Sequence, residues 1–207
     1  MNISDWRVDY DKYKLDASSL NHDPILQFKD WFAQAKVDGH DEPNAMVLAT
    51  CGNDMIPDCR MVLLKEIDDN QFVFYTNYNS HKGKAIAENP NASLLFYWEK
   101  SQRQVRISGV LKKGDADKAK AYFASRPLNS QISAIASPQS EEIELETLFK
   151  NVENILDSNQ IECPPHWGSY YLKPFKFEFW QGQPGRLHDR ITYQNEQENW
   201  IIKRIAP

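Results

Sequence analysis

The segment from Trp180 to Arg190 concentrates residue types that can do chemistry. Arg186, His188 and Arg190 alternate with apolar or acidic residues, so a strand running through them would place three cationic or titratable groups on one face, roughly 6.8 Å apart. Positive charges held together raise the electrostatic free energy unless an anion neutralises them. The pattern therefore predicts a site for a phosphorylated or otherwise anionic ligand, with an imidazole at its centre.

The charge of the chain favours a small anion over a polyanion as that ligand. The 207 residues contain 24 Lys and Arg against 29 Asp and Glu, a net charge of −5, which argues against a dedicated nucleic-acid binder. Residues 60–113 nevertheless carry nine Lys and Arg against five Asp and Glu, so this segment is +4 and the remainder −9. Such a distribution suits a small anionic ligand held in one place.

Cysteine usage and hydropathy indicate the compartment. Cys51, Cys59 and Cys163 form no CxxC pair and are odd in number, so we expect neither a disulfide framework nor a metal site. The N-terminal residues lack the apolar core of a signal peptide. The longest apolar runs, 46–51 and 94–98, are far too short to span a bilayer. We expect a cytoplasmic protein that binds neither membranes nor nucleic acids.

Hydrophobic periodicity predicts short strands with helices around them. Asp23 and Pro24 are a typical N-cap and first helical residue, and the apolar spacing then predicts a helix over 24–38. Further helices are predicted at 80–88, at 115–125, near Ser130 and at 142–158. Strands are predicted at 45–51, 58–67, 72–76, 93–98, 104–111, 167–173, 175–181, 186–194 and 200–205. This succession indicates a mainly β fold with peripheral helices (α+β), as an antiparallel barrel or sandwich, while the lack of Gly-rich nucleotide-binding motifs argues against Rossmann and P-loop folds.

Two further clusters place cations where a strand ends or a helix begins. Arg60 and Lys65 lie on one apolar strand with opposite parity. Either a bulge intervenes, or they serve different ligand groups, or they are surface charges at the strand ends. The segment 75–83 leads from a strand into a helix start, where backbone amides, Ser80 and Lys82 suit a phosphate. A plain capped helix with an exposed lysine fits that segment as well.

Three weaker candidates share the same chemistry. One strand face carries Gln104, Arg106 and Ser108, a pattern that half-buried strands also show. Helical spacing, interrupted by a proline, relates Tyr122, Arg126 and Ser130. The arginines beside His188 are expected to lower its pKa and favour the neutral imidazole, unless a bound anion compensates. Trp180 has a flat ring that can flank a planar cofactor.

Several motifs together resemble one known family, the pyridoxine/pyridoxamine 5′-phosphate oxidases. They occur in the family's order and cover the chain from about residue 7 to its C-terminus. These motifs are RMVLLK (60–65), FYTNYNSHKG (74–83), RQVRISG (103–109), YFASRPLNSQI (122–132), HWGSYYL (166–172), EFWQG (178–182) and RLHDR (186–190). The wider FMN-binding split-barrel superfamily shares the barrel but rarely the last motif.

The resemblance implies one FMN-binding split β-barrel domain over 1–207. An N-terminal arm (1–20) would cover the site, 115–160 would be a helical insert, and 166–207 would complete the barrel and active site. The implied assembly is a homodimer with FMN at the subunit interface. Around FMN the resemblance places Arg60, Met61, Val62, Leu63, Leu64, Lys65, Tyr75, Thr76, His81, Lys82, Gln104, Gln139, Ser140, Trp180 and Arg190. Around the substrate it places Arg7, Tyr10, Lys65, Tyr122, Arg126, Ser130, Arg186 and His188, the last two as the catalytic residues.

The implied reaction is oxidation of pyridoxine or pyridoxamine 5′-phosphate to pyridoxal 5′-phosphate. A hydride passes from C4′ to the flavin, and molecular oxygen then reoxidises the flavin and gives hydrogen peroxide. Two residues depart from the family pattern: His81 replaces an arginine, which makes one flavin-phosphate contact weaker or pH-dependent, and Ser169 replaces a glycine. Two other functions remain open. One is a split-barrel flavoenzyme with an unrelated substrate, and the other is a non-catalytic vitamer- or flavin-binding protein.

Overall fold

The computed structural model describes residues 1–5, 8–158 and 160–207, with the side chain of Ala17 excepted. The predicted substrate contact of Arg7 lies outside the described residues. Within the described part, no helix combines the length and the apolar character needed to cross a membrane.

The described residues form strands and helices in an order close to the predicted one. The helices are α1 (Pro24–Val37), α2 (His81–Glu88), α3 (Ala116–Ser125), α4 (Leu128–Ala136) and α5 (Leu145–Ser158). The strands are β1 (Ala45–Cys51), β2 (Pro57–Leu63), β3 (Glu66–Asp68), β4 (Gln71–Asn77), β5 (Asn91–Trp98), β6 (Arg103–Lys113), β7 (Trp167–Gln181), β8 (Asp189–Glu196) and β9 (Asn199–Arg204). The prediction of a mainly β protein with peripheral helices is confirmed.

The strands form one sheet in the order β2-β1-β5-β6-β7-β4-β3, with β8 pairing β7 and β9 pairing β8. The strand β7 is continuous, although two strands were predicted there. Its first half pairs antiparallel with β4 and its second half with β8. Pro174 lies between the residues of β7 that pair with β4 and those that pair with β8. The N–H that proline lacks is therefore missing from neither of these two sets of hydrogen bonds. The predicted interruption between residues 173 and 175 is therefore wrong.

The chain divides into two compact units, and each has its own aromatic core. The first unit comprises residues 1–48, 93–109 and 174–207, and the second comprises 49–92 and 110–173. In the first unit, Phe28 packs on Phe96 with ring centroids 4.9 Å apart. In the second, Phe74 packs on Tyr170 at 5.8 Å. That 1–207 is a single domain stays a prediction.

The predicted strand over 186–194 is wrong at its start. Residues 184–186 form a short 3-10 turn, and β8 begins only at Asp189. Gly185 and Arg186 both have positive φ, 64° and 63°, in the left-handed region that a β-strand does not use. Arg186 and His188 therefore lie in a turn before the strand, and they do not share a strand face with Arg190.

The predicted strand over 58–67 is also corrected. Strand β2 ends at Leu63 and β3 begins at Glu66. Lys65 lies between them, where its backbone N–H donates to the carbonyl of Val73 at 2.9 Å. The opposite parity of Arg60 and Lys65 on one strand therefore does not arise.

Gly83 is expected to tolerate no side chain. A Cβ there would lie 2.1 Å from the carbonyl oxygen and 2.5 Å from the carbonyl carbon of Tyr78, and backbone atoms cannot move aside alone. We expect Gly83→Ala to lower the free energy of unfolding by about 1–3 kcal/mol, measured by denaturant unfolding. The control is Lys84→Ala, at the exposed neighbouring position of α2. Equal stability of the two variants would contradict the prediction.

Candidate active site

A buried lysine occupies the start of α2. Ser80 is the N-cap, and its hydroxyl accepts from the N–H of Gly83 at 3.3 Å. Lys82 is only 8% exposed, and its Nζ lies 3.2 Å from Ser80 Oγ and 3.3 Å from Gln139 Oε1. No carboxylate of the described residues forms an ion pair with it. Burial and then Arg60 lower the pKa of Lys82, while Asp58 raises it, which indicates a cation that lacks a close counter-charge.

The adjacent arginine is held differently. Arg60 on β2 pairs with Asp58 and donates to Thr50 Oγ1 at 2.7 Å. The same carboxylate lies 3.1 Å from Nδ1 of His81, whose side chain is 66% exposed. Burial raises the pKa of Asp58, but the His81 hydrogen bond and Arg60 outweigh it, so the pKa is lowered. Asp58, which the sequence reasoning missed, thus orients two of the predicted flavin contacts.

A cavity of about 750 Å³ opens beside Lys82 in the second unit. This volume lies within the range of cofactor and substrate sites. Predicted site residues that line it are Met61, Val62, Leu63, Lys65, Tyr75, Thr76, Lys82, Tyr122, Arg126, Ser130 and Gln139. Lining residues that were not predicted are Asn77, Pro127, Asn129, Ser133, Ala134, Ser137 and Trp167. Trp167 belongs to the motif HWGSYYL. The resemblance of that motif to the family was the one signal in the sequence for this residue.

Two further residues of the second unit that were predicted to contact FMN, Leu64 and Ser140, do not line this cavity. Leu64 is buried in the core of the unit, because the chain leaves β2 just before it. Ser140 is exposed, next to Gln139, with a positive φ of 73°. Their roles stay predictions.

Three nearly parallel aromatic rings line one wall of the cavity. Tyr75 and Tyr122 stack with centroids 4.0 Å apart, and Trp167 lies 5.3 Å from Tyr75 and 6.2 Å from Tyr122. Burial first, and then Glu66, raise the pKa of Tyr75 to about 12. That phenol therefore remains neutral and can donate a hydrogen bond at physiological pH.

Arg126 is the second cation of the cavity without a counter-charge. Its guanidinium lies 4.8 Å from the centroid of the Trp167 ring, and burial lowers its pKa. Within the described residues its Nη1 is buried without a hydrogen-bond acceptor, and no carboxylate pairs with it. Buried guanidinium donors need acceptors, and the forked donors of arginine match a phosphate or carboxylate. The site thus has room and donors for an anionic group.

In the first unit, the rings of three predicted residues lie together. His188 lies 4.7 Å from Trp180 and 5.6 Å from Tyr10, between ring centroids. Its Nδ1 accepts from the backbone N–H of Gln183 at 3.1 Å, so a neutral ring carries its proton on Nε2. Burial and then Arg186 lower the pKa of His188. The imidazole is therefore neutral near pH 7, and its Nε2–H is a donor.

Arg190 is neutralised within the chain. The carboxylate of Glu178 on β7 is only 4% exposed and lies 2.9 Å from Arg190 Nε and 2.6 Å from Arg106 Nη2. Arg190 also donates to the carbonyl of Ala206 at 2.9 Å. An anionic ligand was predicted to neutralise Arg190. Glu178 already offsets part of that charge, so the prediction is corrected. Gln104, on the same strand as Arg106, is half-buried.

Comparison with known proteins shows the family of the chain. Residues 32–152 match the family model described as pyridoxamine 5′-phosphate oxidase, and residues 167–207 match the pyridoxine 5′-phosphate oxidase C-terminal dimerisation region. Pyridoxine/pyridoxamine 5′-phosphate oxidase from Leptospira biflexa is 43% identical, covering 100% of this chain and 99% of its own. The enzyme of that name from Acaryochloris marina is 46% identical, covering 100% of this chain and 96% of its own. The chain belongs to the pyridoxamine 5′-phosphate oxidase family.

Solved structures confirm the predicted split-barrel fold. The structure of PhzG from Burkholderia lata 383, in complex with tetrahydrophenazine-1-carboxylic acid, has a TM-score of 0.87 at 30% identity and covers 92% of this chain and 95% of that one. A pyridoxamine 5′-phosphate oxidase-related, FMN-binding protein from Nostoc punctiforme has a TM-score of 0.70 at 20% identity, covering 87% and 97%.

The lowered pKa of His188 predicts an acid-sensitive contribution to stability. An unfolded histidine titrates near 6.5, so below that pH the unfolded state binds more protons and stability falls until the folded ring is also protonated. We expect the fall in Tm between pH 7.5 and 5 to be smaller in His188→Asn, because asparagine keeps an acceptor for Gln183 but does not titrate. Identical pH profiles in calorimetry would contradict this.

Proposed function

We propose that the chain is an FMN-dependent oxidase of pyridoxine 5′-phosphate and pyridoxamine 5′-phosphate. Its product is pyridoxal 5′-phosphate, and molecular oxygen is the electron acceptor and gives hydrogen peroxide. With the amine substrate, oxidation gives an imine that water hydrolyses to the aldehyde with release of ammonia. The observation that carries this proposal is the pair of cations formed by the buried Lys82 and the half-buried Arg126, which line one cavity without carboxylate partners among the described residues. Two cations of this kind suit two phosphate esters, one on the cofactor and one on the substrate.

The residues divide between these two esters. We assign the flavin phosphate to Lys82 at the helix start, with Arg60, Thr76 and Gln139 beside it, because helix N-terminal amides and buried cations both favour anions. We assign the substrate phosphate to Lys65, Tyr122, Arg126 and Ser130, which line the same cavity.

The match to a family dimerisation region supports a homodimer. In that assembly FMN lies at the subunit interface, and Gln104, Trp180 and Arg190 contribute to its binding. Tyr10 belongs to the N-terminal arm on the substrate side, where its Cβ and ring fit against Gly182.

When bound, FMN supplies the redox chemistry by taking the hydride from C4′ and passing the electrons to oxygen. The residues of the chain bind and orient. Neutral His188 offers Nε2–H to a substrate oxygen or nitrogen, and Arg186 adds positive charge in the adjacent turn. No protein base is required, since the proton released from the substrate can pass to solvent.

The function is tested with the purified protein. We expect a flavin absorption spectrum that is bleached by pyridoxamine 5′-phosphate without oxygen, and formation of pyridoxal 5′-phosphate and hydrogen peroxide in air. Lys82→Met removes the buried ammonium and should weaken FMN binding at least ~10-fold, about 1.4 kcal/mol. A wild-type protein that neither bleaches nor forms the aldehyde would refute the oxidase proposal, and unchanged FMN affinity in Lys82→Met would refute the phosphate assignment.

The similarity to the PhzG structure supports one second candidate function, that of a flavoenzyme with a different substrate. That protein was solved with a carboxylated tricyclic compound, and Arg126 would suit a carboxylate as well as a phosphate. Turnover of tetrahydrophenazine-1-carboxylic acid, with none of pyridoxamine 5′-phosphate, would favour this second function.

Arg186 is the substrate-side residue whose role is most easily isolated. It is exposed, so its replacement should leave the fold intact. We expect Arg186→Ala to lower kcat/KM for pyridoxamine 5′-phosphate at least ~10-fold, about 1.4 kcal/mol of transition-state stabilisation. Lys203→Ala, an exposed cation on β9, is the control and should behave as wild type. Wild-type kinetics of Arg186→Ala would remove Arg186 from the site.

A further inference from the structure

We infer that Trp167 is a positioning residue that holds Arg126 ready for the phosphate group of the substrate. This inference rests on the proposed function and extends it to a residue outside the cofactor and substrate sets. Trp167 is buried, lines the cavity and begins β7. Its backbone pairs with Asn77 of β4, so the sheet fixes the ring in place.

The backbone N–H of Arg126 donates to the carbonyl of Phe123 at 3.1 Å, but its guanidinium is held by ring contacts, 4.8 Å from the centroid of Trp167 and 5.7 Å from that of Phe123. Arg126 is the C-cap of α3 and precedes Pro127, which prevents the helix from continuing. A free arginine side chain loses about 2 kcal/mol of rotamer entropy when a ligand orders it. Stacking the guanidinium on a ring held by the sheet lowers that loss before the substrate arrives.

The kind of contact matters as much as its presence. A guanidinium over an aromatic face is attracted by the ring quadrupole, and its N–H donors lie in its own plane. Trp167 therefore orients Arg126 without neutralising its charge and without taking its in-plane donors. Arg60 and Arg190 are instead oriented by Asp58 and Glu178, whose carboxylates occupy donors and offset charge.

The orphaned Nη1 agrees with this role. If packing alone explained the contact, the buried donors of Arg126 would be satisfied within the chain, as buried donors generally are. Gln131 Nε2 donates to the backbone carbonyls of Ala124 and Arg126, and the Nη1 of Arg126 stays without an acceptor among the described residues. Trp167 thus fixes a cation whose acceptor comes from outside the chain.

The test separates orientation of Arg126 from general packing. Trp167→Leu removes the ring face, and we expect KM for pyridoxamine 5′-phosphate to rise about 10-fold with kcat and FMN content within about twofold of wild type. Trp167→Phe keeps a weaker face and should raise KM about 3-fold. Calorimetric titration of the holoenzyme with pyridoxal 5′-phosphate should weaken by the same factors, without any turnover. The control is Leu172→Ala in the core of the same unit, which should lose stability and keep its KM.

A double-mutant cycle decides the outcome even if Trp167→Leu does not fold. In an Arg126→Met background, Trp167→Phe should have no further effect on KM, because the coupled partner is gone. An equal rise in both backgrounds, or an unchanged KM in Trp167→Phe, would overturn the inference. A wild-type holoenzyme that neither oxidises pyridoxamine 5′-phosphate nor binds pyridoxal 5′-phosphate would instead overturn the proposed function.

Discussion

The burial of the Lys82 ammonium is the constraint on which the site depends. Transfer of a charge from water into a protein interior raises its free energy unless a partner compensates. Ser80 and Gln139 offer only neutral oxygens. The partial positive charge of the α2 N-terminus adds to this cost, so the ammonium and the helix start together favour an anion at this position. Because α2 starts directly after β4, the sheet fixes the position of this cation, and the cavity forms where the two elements meet.

Local chemistry in the sequence pointed to Lys82 as a cation at a helix start but left a plain capped helix with an exposed lysine open. The sequence predicts an N-cap at Ser80 and a cation in the first helical turn at Lys82. Both predictions depend only on a few neighbouring residues. The carboxylates that hold the other cations were missed. Asp58 is two residues from Arg60, but the bond depends on β2 being regular. Glu178 meets Arg106 and Arg190 only because β6, β7 and β8 are neighbours in the sheet, and strand order is not visible in the sequence.

The turn before β8 shows where the predicted element was wrong, while the site roles predicted for Arg186 and His188 stay predictions. Alternation from Arg186 to Arg190 suggested a strand, although Pro184 and Gly185 already indicated a turn. The positive φ of Gly185 and Arg186 settles this conflict in favour of the turn. The turn brings the imidazole of His188 back to the backbone N–H of Gln183, which donates to its Nδ1 at 3.1 Å. That hydrogen bond fixes the tautomer of His188.

The cations of this chain are oriented in three ways, and the differences follow from what each must bind. Carboxylates hold Arg60 and Arg190 and offset part of their positive charge. This suits arginines that contact a ligand together with other side chains. Lys82 is held by neutral oxygens at a helix start and keeps its full charge. Arg126 is held by an aromatic face and keeps both its charge and its donors. Since a substrate must bind and leave in every turnover, its phosphate is best met by a cation that is oriented in advance but not neutralised.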